Sequence, residues 1–557
     1  MTLLHGISCA RKGRPGGGPR DITPPILVKS IPDTFSTQVD SKLKTIELEF
    51  DEYVILKDYQ KNILISPPLD TAPTFSPIGI AAKKVKVELN QELLPETTYT
   101  INFGQSIQDN NEGNPYPFFT YVFSTGNYID SLEIRGSVRN LGERKIPENI
   151  IAALYRVDEN YHDSLIFSQK PFYVAKLDSA QQFNLKYLHE GEYKLIAFND
   201  ETPNMQFDAR TEKLAFHSET VQAGSPQHFN LNLFTPEKKY RAVEVVQADY
   251  GKLHFIFEGK PEKVDIIPLN HTFTSQRIYH KPFSDTLTYY FNPGKDSITE
   301  RRPRLRFAIQ HQGKTDSIAP VLYDNQKYSA LRVNGRSLDY VPGMAYQIES
   351  NYPLDSLHKN YISVQKDSLQ IDFDIKRINQ NRFALEFPIQ FEKNYQIRLL
   401  PGAVMDLMQR SNDSLQFKFG VKNQRDYGNL ILRLQNTPES PYWVKLLDAQ
   451  NKEIRAEYGR ATQFNFKNLR PGEYYFQLIV DENANGRYDS GDFLENRQPE
   501  MIYTFPGNVN VRAFWDIEEL WVLGGNAMEP VENEDGTTAP RRKTTEELQL
   551  IRPTETE

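Results

Sequence analysis

Residues 481–492 read Asp-Glu-Asn-Ala-Asn-Gly-Arg-Tyr-Asp-Ser-Gly-Asp. Their side chains carry hard oxygens at a spacing that could hold calcium. Asp481, Asn483 and Asn485 stand at places 1, 3 and 5 of a calcium loop of the EF type. Gly486 stands at the sharp turn, Arg487 offers its backbone carbonyl at place 7, and Asp489 and Asp492 take places 9 and 12. Ca2+ asks for six to eight hard oxygens, which alternating carboxylates and amides around one tight glycine can supply. Place 12 holds Asp rather than a bidentate Glu, and the flanks read as strands. An affinity on the order of 10⁻⁴–10⁻³ M is expected for such a loop, with the ion stabilising the turn. The competing reading is an Asx-rich turn that satisfies its own backbone.

Catalytic chemistry finds little footing. None of the ten His falls in a His-x-x-x-His or His-Glu-x-x-His arrangement. There is no Gly-x-Ser-x-Gly elbow. Gly16-Gly17-Gly18 lacks the Lys-Ser/Thr of a phosphate loop. The expectation is a chain that is not an enzyme, with a carboxylate-pair hydrolase as the minor alternative. A second acidic loop, Asp109-Asn110-Asn111-Glu112-Gly113-Asn114, fits no ligand spacing and reads as a polar turn. The run Arg301-Arg302-Pro303-Arg304-Leu305-Arg306 reads as a charged strand edge, and the net charge of −8 is mild. Neither suggests nucleic-acid binding. Tyr289, Tyr290 and Trp443 could stack on sugar rings, but as strand residues they read first as core.

The elements that position these residues come in copies. Gln182–Asp208 aligns without a gap with Gln463–Asp489. The first copy keeps Asp200, Asn204 and Asp208 but puts Met205 at the glycine place and Thr211 at place 12, so no calcium is expected there. A long internal repeat marks a string of similar modules, and such strings serve more often as scaffolds or binders than as one catalytic body. The chain is rich in aromatics, with 30 Tyr and 33 Phe, and these alternate with polar residues as half-buried strands require. The expected fold class is all-β, built from tandem β-sandwich modules. Length alone suggests roughly four domains, and small β-modules raise that number.

Residues 22–127 open at Pro24-Pro25, carry Glu49-Phe50-Asp51-Glu52-Tyr53-Val54 and the Asp109–Pro115 loop, and close on Phe123-Ser124-Thr125-Gly126. This stretch resembles a bacterial Ig-like domain of the S-layer-protein type. Residues 128–236 resemble a transthyretin-like or carboxypeptidase-regulatory-like β-sandwich, a structural domain without the peptidase. Residues 240–330 read as a β-sandwich of uncertain type. The Ig-like pattern returns over 331–425, with Asn394–Leu399, Ala403–Leu407 and Phe417–Gly420 matching the Tyr99 strand, the Asp109 loop and the closing strand. The transthyretin-like pattern returns over 427–523. The polar stretch 524–557 is expected to be disordered.

Residues 1–21 read as a signal remnant and tether. A short apolar stretch ends in Ser8 before Cys9, the only cysteine, and Arg11–Arg20 is glycine-rich and basic. This order resembles the end of a bacterial lipoprotein signal, which implies an acyl chain on Cys9 and attachment to a membrane without spanning it. Together the resemblances point to a Bacteroidota cell-envelope lipoprotein. They imply an outer-membrane, lipid-anchored location at the cell surface or the periplasmic face, and a role as a non-catalytic docking scaffold. The partners implied are other envelope proteins, with an outer-membrane β-barrel as the leading one, in an assembly, secretion or uptake complex. The alternative is a carbohydrate-binding or adhesion protein.

Overall fold

The computed structural model describes residues 21–116, 119–143, 146–273, 275–293, 303–322, 330–524, 528–532 and 538–542. Cys9, Arg301 and Arg302 lie outside the described residues. Strands make up nearly all the regular secondary structure of the described chain, and its helices are single short turns such as Tyr59–Asn62 and Asp163–Phe167. No helix among the described residues is long and apolar enough to cross a membrane. Two compact units emerge, residues 1–236 with 490–499, and 237–489 with 500–557.

In the first unit, the Ig-like stretch is a sandwich. One sheet runs Leu27–Ile31, Thr45–Leu56, Ala82–Glu88, Thr74–Ser76, and the other Leu64–Ser66, Thr98–Asn102, Thr120–Ser124. The long strand shows the cause plainly: Ile46, Leu48 and Phe50 are buried while the residues between them face outward. Its ladder to Ala82–Glu88 breaks register between Glu49 and Val54 and resumes at Val54 opposite Ala82, while Val54, Ile55 and Leu56 also pair with Ile107–Asp109. Ile46, Leu48, Phe50, Val85, Val87, Tyr99, Ile101 and Phe123 fill the space between the sheets. Each buried aromatic or aliphatic side chain there is worth about 1.5–3 kcal/mol.

The next module pairs a four-stranded sheet (Tyr173–Lys176, Ile150–Arg156, Glu192–Asn199, Leu214–Gln222) with a three-stranded one (Gln182–Leu188, Leu132–Asn140, His228–Leu233). In the smaller sheet Leu132–Asn140 is central, antiparallel to Gln182–Leu188 and parallel to His228–Leu233. Its core holds Ile134, Leu154, Phe183, Leu185, Tyr193, Leu195 and Leu231. The outer face of the four-stranded sheet is covered too. Ile151, Ile196, Phe198 and Phe216 pack there with Phe207, Leu64 and Phe493, which explains why these strands are apolar on both faces.

The second unit repeats both plans. Residues 333–421 place Val333–Gly335, Tyr346–Ser350, Arg382–Glu386 and Asp374–Asn379 in the order of the first Ig-like sheet, opposite Leu369–Ile371, Ile362–Lys366, Asn394–Leu399 and Leu415–Gly420. Residues 428–523 again centre one sheet on a strand, Gly428–Gln435, antiparallel to Gln463–Leu469 and parallel to Asp516–Val522. The repeats match down to single tyrosines. The Tyr99 and Tyr395 hydroxyls each accept an amide five residues back, from Leu94 and Gln390 at 2.9 Å. The Tyr193 and Tyr474 hydroxyls each donate to a carbonyl four residues back, on His189 and Arg470 at 2.9 Å. Between these copies, residues 241–318 form a four-stranded and a three-stranded sheet around Phe255, Leu287, Tyr289, Phe291 and Phe307. Tyr289 and Tyr290 are thus core residues, 0% and 4% exposed, and are not available to stack on a sugar. In 524–557, expected to be disordered, Met528–Glu532 and Thr538–Arg542 pair antiparallel.

Candidate functional site: two loops closed by buried carboxylates

The strand Gly472–Val480 runs directly into the acidic loop, and Asp481 is fully buried at its end. Its Oδ1 accepts the Asn485 amide N–H at 3.0 Å, and its Oδ2 accepts the Gly486 amide at 2.7 Å and the Tyr458 hydroxyl at 2.6 Å. Asn483 Oδ1 accepts Asn485 N–H, and Asn485 Oδ1 accepts Arg487 N–H. The side-chain amides of Asn483 and Asn485 both donate to Asp489 Oδ2, at 2.5 and 2.6 Å. Arg487 reaches Asp489 Oδ1 at 3.1 Å and lays its guanidinium over the Phe283 ring at 4.5 Å. Trp443, half-buried, donates its indole N–H to the Gly486 carbonyl at 3.1 Å.

The carboxylate that closes this loop is Glu500, not Asp492. Glu500 Oε1 accepts the Glu482 amide and Oε2 the Asp489 amide, both at 2.7 Å. Asp492 instead caps the amides of Leu494 and Glu495. Burial pushes the Glu500 carboxyl above the ordinary range; the two amide donors oppose that, and the nearby charges of Asp489 and Asp481 add to it.

The first copy repeats the four carboxylate-to-amide bonds of this arrangement. Asp200 Oδ1 and Oδ2 accept the amides of Asn204 and Met205, at 3.1 and 3.0 Å. Glu212 Oε1 and Oε2 accept those of Glu201 and Asp208, at 3.0 and 2.9 Å. Burial raises both the Asp200 and Glu212 carboxyls. Met205 holds a left-handed backbone at φ 58°, where the second copy has Gly486 at φ 80°. Thr211 offers no oxygen in these bonds; its amide donates to the Asp208 carbonyl.

Glu212 and Glu500 escape a reading of loop spacing because eleven residues separate Asp489 from Glu500 and only four separate Asp208 from Glu212. The signal was the acid two positions before the next strand, which opens at Leu214 in one copy and Ile502 in the other. Among the described residues, no three His, Cys, Asp or Glu side chains converge as a metal-binding group. A cation at the second loop would draw on Asn483 and Asn485 and on the Arg487 carbonyl besides Asp481 and Asp489, and would displace the amide donors on Asp489. The Asp109 loop is a self-capped turn: one oxygen accepts the amides of Asn111, Glu112 and Gly113, and the other that of Asn114. Burial alone would raise the Asp109 carboxyl, but these amides outweigh it and hold it below the ordinary range.

Comparison with known proteins places the first module. Residues 21–125 match the bacterial Ig-like domain family. No curated protein matches the sequence. Among solved structures, the surface layer protein SbsC, domains 1–6, is 10% identical, with 84% of this chain and 67% of that one covered and a TM-score of 0.13. The major pilin subunit BcpA of Bacillus cereus is 9% identical over 70% of this chain and 99% of that one, with a TM-score of 0.12. A chimeric titin Z1Z2 is 10% identical over 33% of this chain and 94% of its own, with a TM-score of 0.15. Scores this low carry no functional weight.

Proposed function

We propose that the chain is a non-catalytic scaffold of the bacterial cell envelope, anchored to the outer membrane by an acyl chain on Cys9 and docking another envelope protein, with an outer-membrane β-barrel as the leading partner. One observation supports this most: the Ig-like and transthyretin-like plans each occur twice, and every module closes around its own buried core. Modules of this kind hold docking loops and sheet edges at fixed spacings, which suits a spacer and offers surfaces for protein partners. The buried carboxylates are used to close turns, so the two loops serve the fold first. Labelling with a palmitate analogue tests the anchor. Incorporation by the wild type and none by Cys9→Ser is expected; equal incorporation, or none in either, overturns it.

Calcium at the second loop belongs to the same proposal, with Asp481, Asn483, Asn485, the Arg487 carbonyl and Asp489 as its oxygens. The spacing of these residues supports it. Calorimetry on the full chain is expected to show one weak site that Asp489→Ala removes, and the absence of heat excludes it.

A further inference from the structure

A cleft of about 750 Å³ opens within the first unit, where the Ig-like domain meets the module that follows it. Direct bonds join the two around it. Val174 N–H donates to Ser66 Oγ at 3.0 Å, and Asp130 N–H to Thr98 Oγ1 at 3.0 Å. Lys176 Nζ reaches the Lys61 carbonyl and, at 3.1 Å, Asn62 Oδ1. The cleft is therefore walled by two modules tied together rather than by one mobile loop.

Its lining presents the amides of Gln105, Gln182 and Asn184 and the hydroxyls of Thr120 and Tyr187, beside a comparable apolar surface from Leu64, Val174, Leu177 and Phe183. Among the described residues, the side chains of Gln105, Gln182 and Thr120 find no hydrogen-bond partner, so they are open to a ligand. Each amide or hydroxyl can both donate and accept, which is what a ring of neighbouring sugar hydroxyls requires. Tyr187 adds a half-buried ring with a polar tip, set edge-to-face against Phe35 at 6.0 Å. The volume lies within the roughly 300–1,000 Å³ common for ligand sites.

The charge of the lining is one-sided. Arg135, Lys176 and Lys186 face a single lining acid, Asp178, and Asp178 is engaged by the Gln182 amide. Glu133 pairs with Arg135 from beside the cleft, so Lys176 and Lys186 stand against Asp178 alone and the lining keeps one net positive charge. An extended peptide is the less suitable occupant. The strand edge on this side breaks register between Lys186 and Leu188, with Tyr187 at φ 60°, and a bulge of this kind obstructs strand addition.

We propose that this cleft binds an acidic oligosaccharide, its hydroxyls held by Gln105, Thr120, Gln182 and Tyr187 and its anionic group by Lys176 and Lys186. The site does not depend on how the chain is anchored or what else it docks. Calorimetry on the full chain with hexamers of galacturonate and of hyaluronan, against neutral maltohexaose, tests it. At least one acidic hexamer is expected to bind with a Kd between roughly 1 μM and 1 mM. Lys186→Glu and Gln105→Ala, both on exposed side chains, are expected to weaken binding about tenfold, a loss of about 1.4 kcal/mol. Lys376→Glu, on an exposed lysine of the second unit, is expected to leave affinity unchanged. Absence of heat with both acidic hexamers, equal binding of maltohexaose, or full affinity in Lys186→Glu overturns the proposal.

Discussion

Removing the carboxylate of Glu500 should open the second acidic loop without unfolding the module around it. Glu500 is 5% exposed and takes two amide hydrogen bonds at 2.7 Å, from Glu482 and Asp489. A hydrogen bond to a charged group contributes about 1.5–3 kcal/mol. Two would sum to more, but two effects reduce the total. Burial already disfavours the charged carboxyl, and Glu482 is exposed, so water can replace part of what its amide loses. Glu500→Ala should therefore cost the closed loop about 2–3 kcal/mol. Amide hydrogen exchange on the full chain is the assay. If local opening governs exchange, peptides covering 481–489 should exchange roughly 30- to 160-fold faster. Glu212→Ala should do the same to 200–208, because its bonds to Glu201 and Asp208 are equivalent. Unchanged exchange in either variant, or a response in only one copy, would refute the shared role assigned to the two acids.

Four further outcomes follow from the structure. Glu212, Glu500 and Asp200 have raised carboxyls, so the folded loops bind protons more tightly than the unfolded chain; loop stability should fall as pH rises from the ordinary carboxylate range through the raised values. Asp109 is lowered, so its turn should behave oppositely, intact above the ordinary value and lost as pH falls below it, which exchange measured across pH can separate. Gly136→Ala would place a Cβ 2.2 Å from the Phe229 carbonyl oxygen and 2.4 Å from the Phe183 ring; a loss of at least about 3 kcal/mol is expected, read by thermal melting of the full chain. Gly486→Ala meets no atom within 4 Å and suffers only from its φ of +80°, so about 1–2 kcal/mol should be lost, confined to exchange in that loop.

Strand positions were legible wherever inward and outward residues alternate. Thr286–Phe291 and Asn394–Leu399 lie where the pattern put them. The repeat at Gln182 and Gln463 was legible because identical turn and tyrosine positions serve identical bonds. Short strands such as Leu64–Ser66 and Ile107–Asp109 were not, because three residues carry no period and owe their pairing to the neighbouring sheet. The parallel pairing of His228–Leu233 with Leu132–Asn140 joins segments almost a whole module apart, and no local signal reports it. The acidic loop was visible as a motif but incompletely as a structure. Spacing favours the nearest acid, Asp492, whereas the fold brings back Glu500 across a loop that is seven residues longer than in the first copy. Tyr289 illustrates the converse: its aromatic run resembles a sugar platform, yet the alternation already placed it inside.

The scaffold reading is tested most directly by mild cross-linking in cells of the native host, followed by purification of the full chain from membranes. It predicts recovery of the chain with the outer membrane, in stoichiometric association with an envelope protein, and loss of both in Cys9→Ser. A chain recovered free of membranes and partners, and unaffected by Cys9→Ser, would contradict it.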